Sequence, residues 1–312
     1  MGKIAFVFPG QGAQYVGMGK EFVDKYPQAK EVYSKATKAL GYDMEEMIFK
    51  GTEETLKKTE NTQPAILTAS VAMYEVLKSK GIQPEGVAGL SLGEYSALVA
   101  AETLSFESAV QIVRNRGKYM QEEVPEGVGT MAAILGLEKS LVEEACQEAS
   151  DIGVVEAVNY NCPGQLVIAG EIKPVEKAVE LCREKGAKKA VVLPVSAPFH
   201  TSLLKGAGEK LAVNLKEASY HEMIYPVYAN VTAKRLGSHE EVMPRLIEQV
   251  SSPVLWEDSV LNMIEAGYDT FIEVGPGKAL SKFIKKISRE VRILNVEDEK
   301  SLEKTLEKLK EA

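Results

Sequence analysis

Residues 89–93 read Gly89-Leu90-Ser91-Leu92-Gly93, one hydroxyl between two glycines where an apolar run ends and a helical period begins. Strand, G-x-S-x-G, helix is the context of a nucleophile elbow, in which the glycines permit a sharp turn and the serine is pushed into the open at a helix N-terminus. A serine so placed can attack a carbonyl carbon. The backbone N–H of Leu92 and the positive end of the helix would then stabilise the charge that develops on the carbonyl oxygen. A serine N-cap at an ordinary βα turn satisfies the same pattern, so other residues must decide.

A general base is the first requirement, and the chain has three histidines: His200, His221 and His239. His221 and His239 stand among polar residues and read as surface positions. His200 closes "VSAPFH", between a strand and a helical segment, a position that can face a cleft, and it is the candidate base for Ser91. A second oxyanion donor is the next requirement. "FPGQGAQ" (8–14) follows the first apolar run; it fails G-x-G-x-x-G because Tyr15 stands at the third glycine, and Gly19-Lys20-Glu21 fails the Walker pattern. Nucleotide binding is therefore disfavoured, and the small residues around Gln11 would let its N–H approach a substrate oxygen. No acid has a distinctive context: Asp151 is the only aspartate between Ser91 and His200, so a dyad oriented by something other than a carboxylate is expected.

The elements that must position these groups alternate short apolar runs with helical periods, the pattern of an α/β protein. Strands are expected at 4–8 and 87–90, and helices at 64–80, with proline in its first turn, 92–101 and 106–124. Between 127 and 194 the order becomes βαββαβ, the signature of a ferredoxin-like module. Alternation returns after His200, with strands near 224–230, 270–274 and 291–296 and a charged helix from Ser301. The expected fold is α/β: an α/β-hydrolase-like large domain with a parallel sheet core, residues 1–126 and 196–312, interrupted by a ferredoxin-like small domain at 127–195.

Composition bounds the remaining possibilities. With 312 residues, 45% hydrophobic and 26% charged, the chain can bury a large core. The net charge of −8 argues against broad nucleic-acid binding. Lys278, Lys282, Lys285, Lys286 and Arg289 fall at near-helical spacing, and Lys185, Lys188 and Lys189 form a second cluster; each is either a solvated face or a docking surface for an acidic partner. Cys146, Cys162 and Cys182 lack metal-ligand spacing and read as reduced thiols, so no metal is expected. No signal-like segment or membrane-length run is visible, and a cytoplasmic protein is expected.

Together these residues resemble the malonyl-CoA:acyl carrier protein transacylases of fatty acid synthesis and the related acyltransferase domains of polyketide synthases. The matching segments are "FVFPGQGAQ" (6–14), "TQPAI" (62–66), "GLSLGEYSAL" (89–98), "RGKYMQ" (116–121), "NYNCPGQLVIAG" (159–170), "PFH" (198–200), "PVYANVTA" (226–233) and "FIEVGPGKAL" (271–280), in the family's order. One departure is Leu90, where the family often has histidine.

The resemblance implies that Ser91 is acylated, with His200 as base and the N–H groups of Gln11 and Leu92 as oxyanion hole. It further implies that Arg116 grips the malonyl carboxylate and that the main-chain carbonyl of Gln249 orients the imidazole. Phe199, before the base, would favour an unbranched acyl group, and Met120 would shape the same pocket. A planar guanidinium suits Arg116's part, because two parallel hydrogen bonds to a carboxylate are beyond lysine; Arg114 is the nearby decoy. The activity implied is ping-pong transfer of malonyl from malonyl-CoA to the phosphopantetheine thiol of acyl carrier protein. A trans-acting polyketide acyltransferase or an acyl-thioester hydrolase would share the serine and histidine. Malonyl-CoA and acyl carrier protein are the expected partners of a monomer that binds neither nucleic acid nor membrane, and no cofactor is expected.

Overall fold

The computed structural model describes residues 2–195 and 197–311. Residues 1, 196 and 312, which include two outer bounds and one junction of the expected domain division, lie outside them.

The first strand, β1 (Lys3–Phe8), is buried from Ala5 to Phe8, as expected of a parallel strand covered on both faces. Four helices follow where the sequence analysis assigned none: α1 (Lys20–Lys25), α2 (Pro27–Leu40), α3 (Met44–Phe49) and α4 (Glu53–Lys57). Three of them are only five or six residues long, too short for a 3.6-residue period to declare itself. Local chemistry marks their ends instead. Pro27 opens α2 and Gly41, at φ 76°, closes it; Asp43 and Thr52 cap α3 and α4 by accepting from Glu46 and Thr55 N–H.

Helix α5 (Thr59–Ser79) starts five residues earlier than expected, which places Pro64 in its second turn. The lysine carbonyl before it explains the early start: Lys58 O accepts from both Asn61 and Thr62 N–H at 2.8 Å, so the first turn closes without the proline. Pro64 forfeits only its own bond to the carbonyl four residues earlier.

The chain then forms β2 (Gly86–Gly89), α6 (Gly93–Ala100) and α7 (Phe106–Glu123), followed by β3 (Gly129–Leu135), α8 (Lys139–Ala149), β4 (Val155–Cys162), β5 (Gln165–Glu171), α9 (Ile172–Glu184) and β6 (Lys189–Val192). It closes with α10 (Lys205–Glu217), β7 (Val227–Tyr228), α11 (Val242–Val250), α12 (Trp256–Glu265), β8 (Tyr268–Val274), α13 (Ala279–Ile287), β9 (Arg292–Val296) and α14 (Glu299–Lys310).

Among the described residues these strands make a five-stranded parallel sheet, ordered β7-β2-β1-β8-β9, and a separate four-stranded antiparallel sheet, ordered β4-β5-β3-β6. One apolar core packs α5, α6 and α7 on the parallel sheet; another lies between the antiparallel sheet and α8 and α9. Cys146 and Cys182 belong to the second, and burial pushes their thiols up to about 12 and about 11, out of the reactive range. Strand β4 is tied to the segment between α11 and α12, where Tyr160 N–H donates to Val254 O at 3.0 Å and Val254 N–H returns a bond to Val158 O at 2.8 Å; the next residue, Leu255, donates its N–H to Asn230 O, just after β7, at 2.9 Å.

Neighbouring β1 and β2 deliver their following loops side by side at the carboxyl edge of the sheet, where ligands bind in open α/β folds. Glycine makes that approach possible. A Cβ on Gly10 would overlap Leu90 O, and one on Gly93 would overlap Phe8 O, while Leu90 N–H donates to Phe8 O at 3.0 Å. Because the obstacle is backbone, Gly93→Ala is expected to cost about 2–3 kcal/mol of stability in urea unfolding; a loss below about 0.5 kcal/mol would mean that the loops separate freely.

Candidate active site

Ser91 sits between β2 and α6 in the left-handed region, at φ 53°, which non-glycine residues rarely occupy. Asn230, fully buried after β7, holds it there. Its Oδ1 accepts from Ser91 N–H at 2.6 Å and its Nδ2 donates to Gly89 O at 2.7 Å, so one side chain grips the turn at two points.

The Ser91 Oγ lies 2.7 Å from His200 Nε2, and His200 Nδ1 lies 2.8 Å from Gln249 O, at the last turn of α11. A carbonyl can only accept. The Nδ1 therefore carries the hydrogen, and Nε2 is left to receive the serine proton. His200 is itself left-handed, at φ 65°, and buried. Burial, reinforced by the charge of Arg116, pushes its pKa from 6.5 down to about 3, so the imidazole is neutral throughout the physiological range. The other two histidines play no part here: His221 is exposed and His239 faces Glu222 at 3.0 Å. Asp151 is exposed in a short turn after α8, and the group that meets His200 Nδ1 is the main-chain carbonyl of Gln249.

Arg116, from the middle of α7, is 1% exposed. Its Nη1 donates to Gln63 Oε1 at 2.9 Å, and its Nη2 to Gln249 Oε1 at 3.0 Å and to Ser91 Oγ at 3.1 Å. Neutral oxygens hold this buried cation, and its Nε has no partner among the described residues. Such a guanidinium is set to receive an anion. Met120, one turn on and buried, takes Gln63 Nε2 on its sulfur at 3.8 Å, which turns the Gln63 oxygen toward Arg116. At Gly117 a Cβ would lie 2.6 Å from Thr59 O, so the glycine lets α7 close onto the start of α5. Arg114 points elsewhere, its guanidinium 4.5 Å from the centre of the Tyr42 ring. Phe199 is buried beside the base.

The Gln11 and Leu92 N–H groups lie on the two adjoining loops, and among the described residues neither donates to the protein. Leu90, in place of the family's histidine, is half-buried and packs against the apolar cluster that includes Ala5, Val7 and Trp256. Of the basic clusters, Lys278 pairs with Glu297 at 2.7 Å and Lys185 with Glu148 at 2.8 Å, while Lys282, Lys285, Lys286 and Arg289 are exposed.

Three residues of this site carried no role in the sequence analysis: Gln63, Asn230 and Glu94, whose buried carboxylate accepts from Gln249 Nε2 at 2.7 Å and from Asn230 N–H at 3.0 Å. All three fall inside segments that matched the resemblance, which is the one signal that could have found them.

A parallel sheet carrying a serine on the loop after β2, met by a histidine on the segment that follows β6 and by a buried arginine of α7, defines the class: an α/β acyltransferase. The chain belongs to the acyl transferase domain family, whose model matches residues 5–307. It is 46% identical over 312 residues to the malonyl CoA-acyl carrier protein transacylase of Bacillus subtilis, covering 100% of this chain and 98% of that protein. Among solved structures it is similar to the malonyl CoA-acyl carrier protein transacylase of Clostridium perfringens, with TM-score 0.96, 50% identity and coverage of 99% and 98%. A malonyl-transacylase solved in complex with a type II polyketide synthase acyl-carrier protein also matches, with TM-score 0.96, 42% identity and coverage of 98% and 99%.

The depressed pKa of His200 has a sign that can be checked. Above 6.5 the imidazole is neutral folded and unfolded, so it contributes no pH dependence; between 6.5 and about 3 the unfolded chain binds the extra proton, and stability is lost as pH falls. Ser91 reactivity toward a fluorophosphonate should accordingly stay level from about pH 8 to about pH 5. An acid limb with its midpoint near 6.5 would show that the base titrates as an ordinary histidine.

Proposed function

We propose that the protein transfers a malonyl group from malonyl-CoA to the phosphopantetheine thiol of acyl carrier protein through a malonyl ester on Ser91, supplying fatty acid synthesis. The observation that carries this reading is the buried Arg116 guanidinium at 3.1 Å from Ser91 Oγ. A malonyl group on that oxygen would present its free carboxylate, whose carbon is two bonds beyond the ester carbonyl carbon, to the cation. The names of the relatives, malonyl CoA-acyl carrier protein transacylases over the full length of the chain, support it.

In the first half-reaction, Ser91 Oγ attacks the thioester carbonyl as its proton passes to His200 Nε2. The Gln11 and Leu92 N–H groups take the oxyanion, a contribution of several kcal/mol in a site closed to water. Collapse breaks the C–S bond, and His200 returns the proton to the departing CoA sulfur. The second half runs in reverse, with the carrier thiol giving its proton to Nε2 and attacking the ester, so no redox partner or metal is needed. Arg116 holds the free carboxylate through paired N–H bonds. Phe199 and Met120 form the wall that suits an unbranched group.

The same reading takes the fold as an α/β-hydrolase-like large domain, 1–126 and 196–312, with a ferredoxin-like insert at 127–195. The β3-α8-β4-β5-α9-β6 connection with order β4-β5-β3-β6 supports that description. It takes the protein as a cytoplasmic monomer without a cofactor; no helix among the described residues is long and apolar enough to cross a membrane, and the three cysteines are free.

Intact mass after brief mixing with malonyl-CoA should show one malonyl group on the wild type, none on Ser91→Ala, and its passage to added acyl carrier protein. An adduct that decays to free malonate regardless of carrier would instead identify a hydrolase. Arg116→Ala should lower malonyl transfer by about 10²–10³-fold, as for loss of one partner of a buried charge pair worth about 3–4 kcal/mol, and acetyl transfer far less. Equal loss of both would remove the carboxylate-binding role from Arg116.

A further inference from the structure

Glu94, in the first turn of α6, is a buried carboxylate three residues after the nucleophile, and the chemistry above makes no use of it. Burying such a group is costly unless its hydrogen bonds are specific. Here they are. A single oxygen, Oε2, accepts from Gln249 Nε2 at 2.7 Å and from Asn230 N–H at 3.0 Å.

Each donor in turn touches the reacting pair. Asn230 holds the elbow through Ser91 N–H and Gly89 O, at 2.6 and 2.7 Å. The Gln249 amide also donates to Ser91 O at 3.1 Å, while its own main-chain carbonyl receives His200 Nδ1–H at 2.8 Å. The amide's orientation is thereby settled: its nitrogen faces Glu94 and Ser91 O, and its oxygen faces Arg116 Nη2 at 3.0 Å. Gln249 Nε2 also reaches Asn230 Oδ1 at 3.4 Å, and Glu94 Oε2 is the side-chain oxygen that accepts from both residues, which lie on separate segments after β7 and in α11.

We propose that Glu94 is a positioning residue for acyl transfer, its Oε2 serving as the common acceptor that sets Asn230 against Ser91 and Gln249 against His200. What the site requires from it is an acceptor at that point, not a charge. Burial pushes the carboxyl from 4.5 up to about 7, opposed by its two donors and Arg116, and a protonated carboxyl still offers its carbonyl oxygen to both N–H groups. The demand for position without charge separates this role from that of a counter-ion to Arg116.

Two conservative variants distinguish the roles. Glu94→Gln removes the charge and keeps a carbonyl oxygen at the same reach. Glu94→Asp keeps the charge and withdraws the acceptor by about 1.5 Å, one carbon–carbon bond. The readouts are the labelling rate of Ser91 by a fluorophosphonate, which needs no malonyl group, and kcat and KM for malonyl transfer, with thermal melting as the check on folding. The expected result is that Gln lowers labelling and kcat by no more than about fivefold and Asp by more than about twentyfold, since displacements of about 1 Å at a reacting pair cost up to about 100-fold, with KM for malonyl-CoA nearly constant in both. Asp equal to or faster than Gln would assign the effect to charge and overturn the proposal, and so would wild-type rates in both. The inference rests on the acyl-transfer reading, but the two fail separately: a wild type that labels and transfers no malonyl contradicts the substrate, while the order of the labelling rates still tests Glu94.

Discussion

The hydrogen bond from His200 to a main-chain carbonyl is the constraint on which the site is organised. A carboxylate in that position would add a negative charge and raise the basicity of the imidazole. Gln249 O supplies direction without charge, which leaves Arg116 as the dominant charge beside Ser91 Oγ. The pocket thus combines a neutral base with a buried cation held by neutral oxygens. That cation disfavours a proton on His200 and favours developing negative charge on Ser91. On the proposed reading, a substrate carboxylate reverses the first effect: once paired with Arg116 it screens the cation, and His200 becomes a better base when the acyl group it must act on has arrived. A neutral acyl group brings no such compensation, so selectivity and reactivity draw on one interaction.

Strain follows from the same arrangement. Ser91 and His200 are two of the four non-glycine residues with positive φ among those described, and each such residue costs on the order of 1–3 kcal/mol. The cost is met by bonds from elsewhere in the chain, not by the elbow itself: Asn230 and Gln249 reach Ser91 across 139 and 158 residues. Close backbone packing does the remainder. Gly89, Gly93 and Gly10 admit no side chain, so the elbow and the β1 loop stay in register and present their two N–H groups together.

How much of this could be read from the chain depended on whether a function resides in a side chain with local context. Ser91 was legible because strand, glycine and helix are all neighbours in sequence, and His200 because the chain has so few histidines. Gln249 was legible only through resemblance, since what it offers the imidazole is a carbonyl that every residue possesses. Gln63 and Asn230 are ordinary amides until the fold brings them 53 and 139 residues across to Arg116 and Ser91. The same limit applies to secondary structure. Most of the long helices and the alternating strands were visible, although the fourteen-residue α2 was not, whereas α1, α3 and α4 are five or six residues long and carry little period of their own. Pro64 misled for a related reason: a local rule about first turns yielded to the Lys58 carbonyl closing the turn before it.

The base is carried on the segment that leaves the antiparallel sheet, so its placement also depends on how that sheet is joined to the parallel one. The entering strand β3 begins at Gly129, where a Cβ would come within 2.5 Å of the Pro198 ring, two residues before His200. On the way out, Leu193 N–H donates to Met131 O at 2.8 Å. Entry and exit are therefore clamped against each other immediately before Phe199 and His200. A displacement of the antiparallel sheet would carry the base and the pocket wall together, relative to a Ser91 fixed on the parallel sheet. Because the Ser91–His200 bond tolerates little change in length, the crossing at Gly129 and Pro198, and the bonds that join β4 through Val254 and Leu255 to Asn230 after β7, hold the two sheets in the relation that the pair requires.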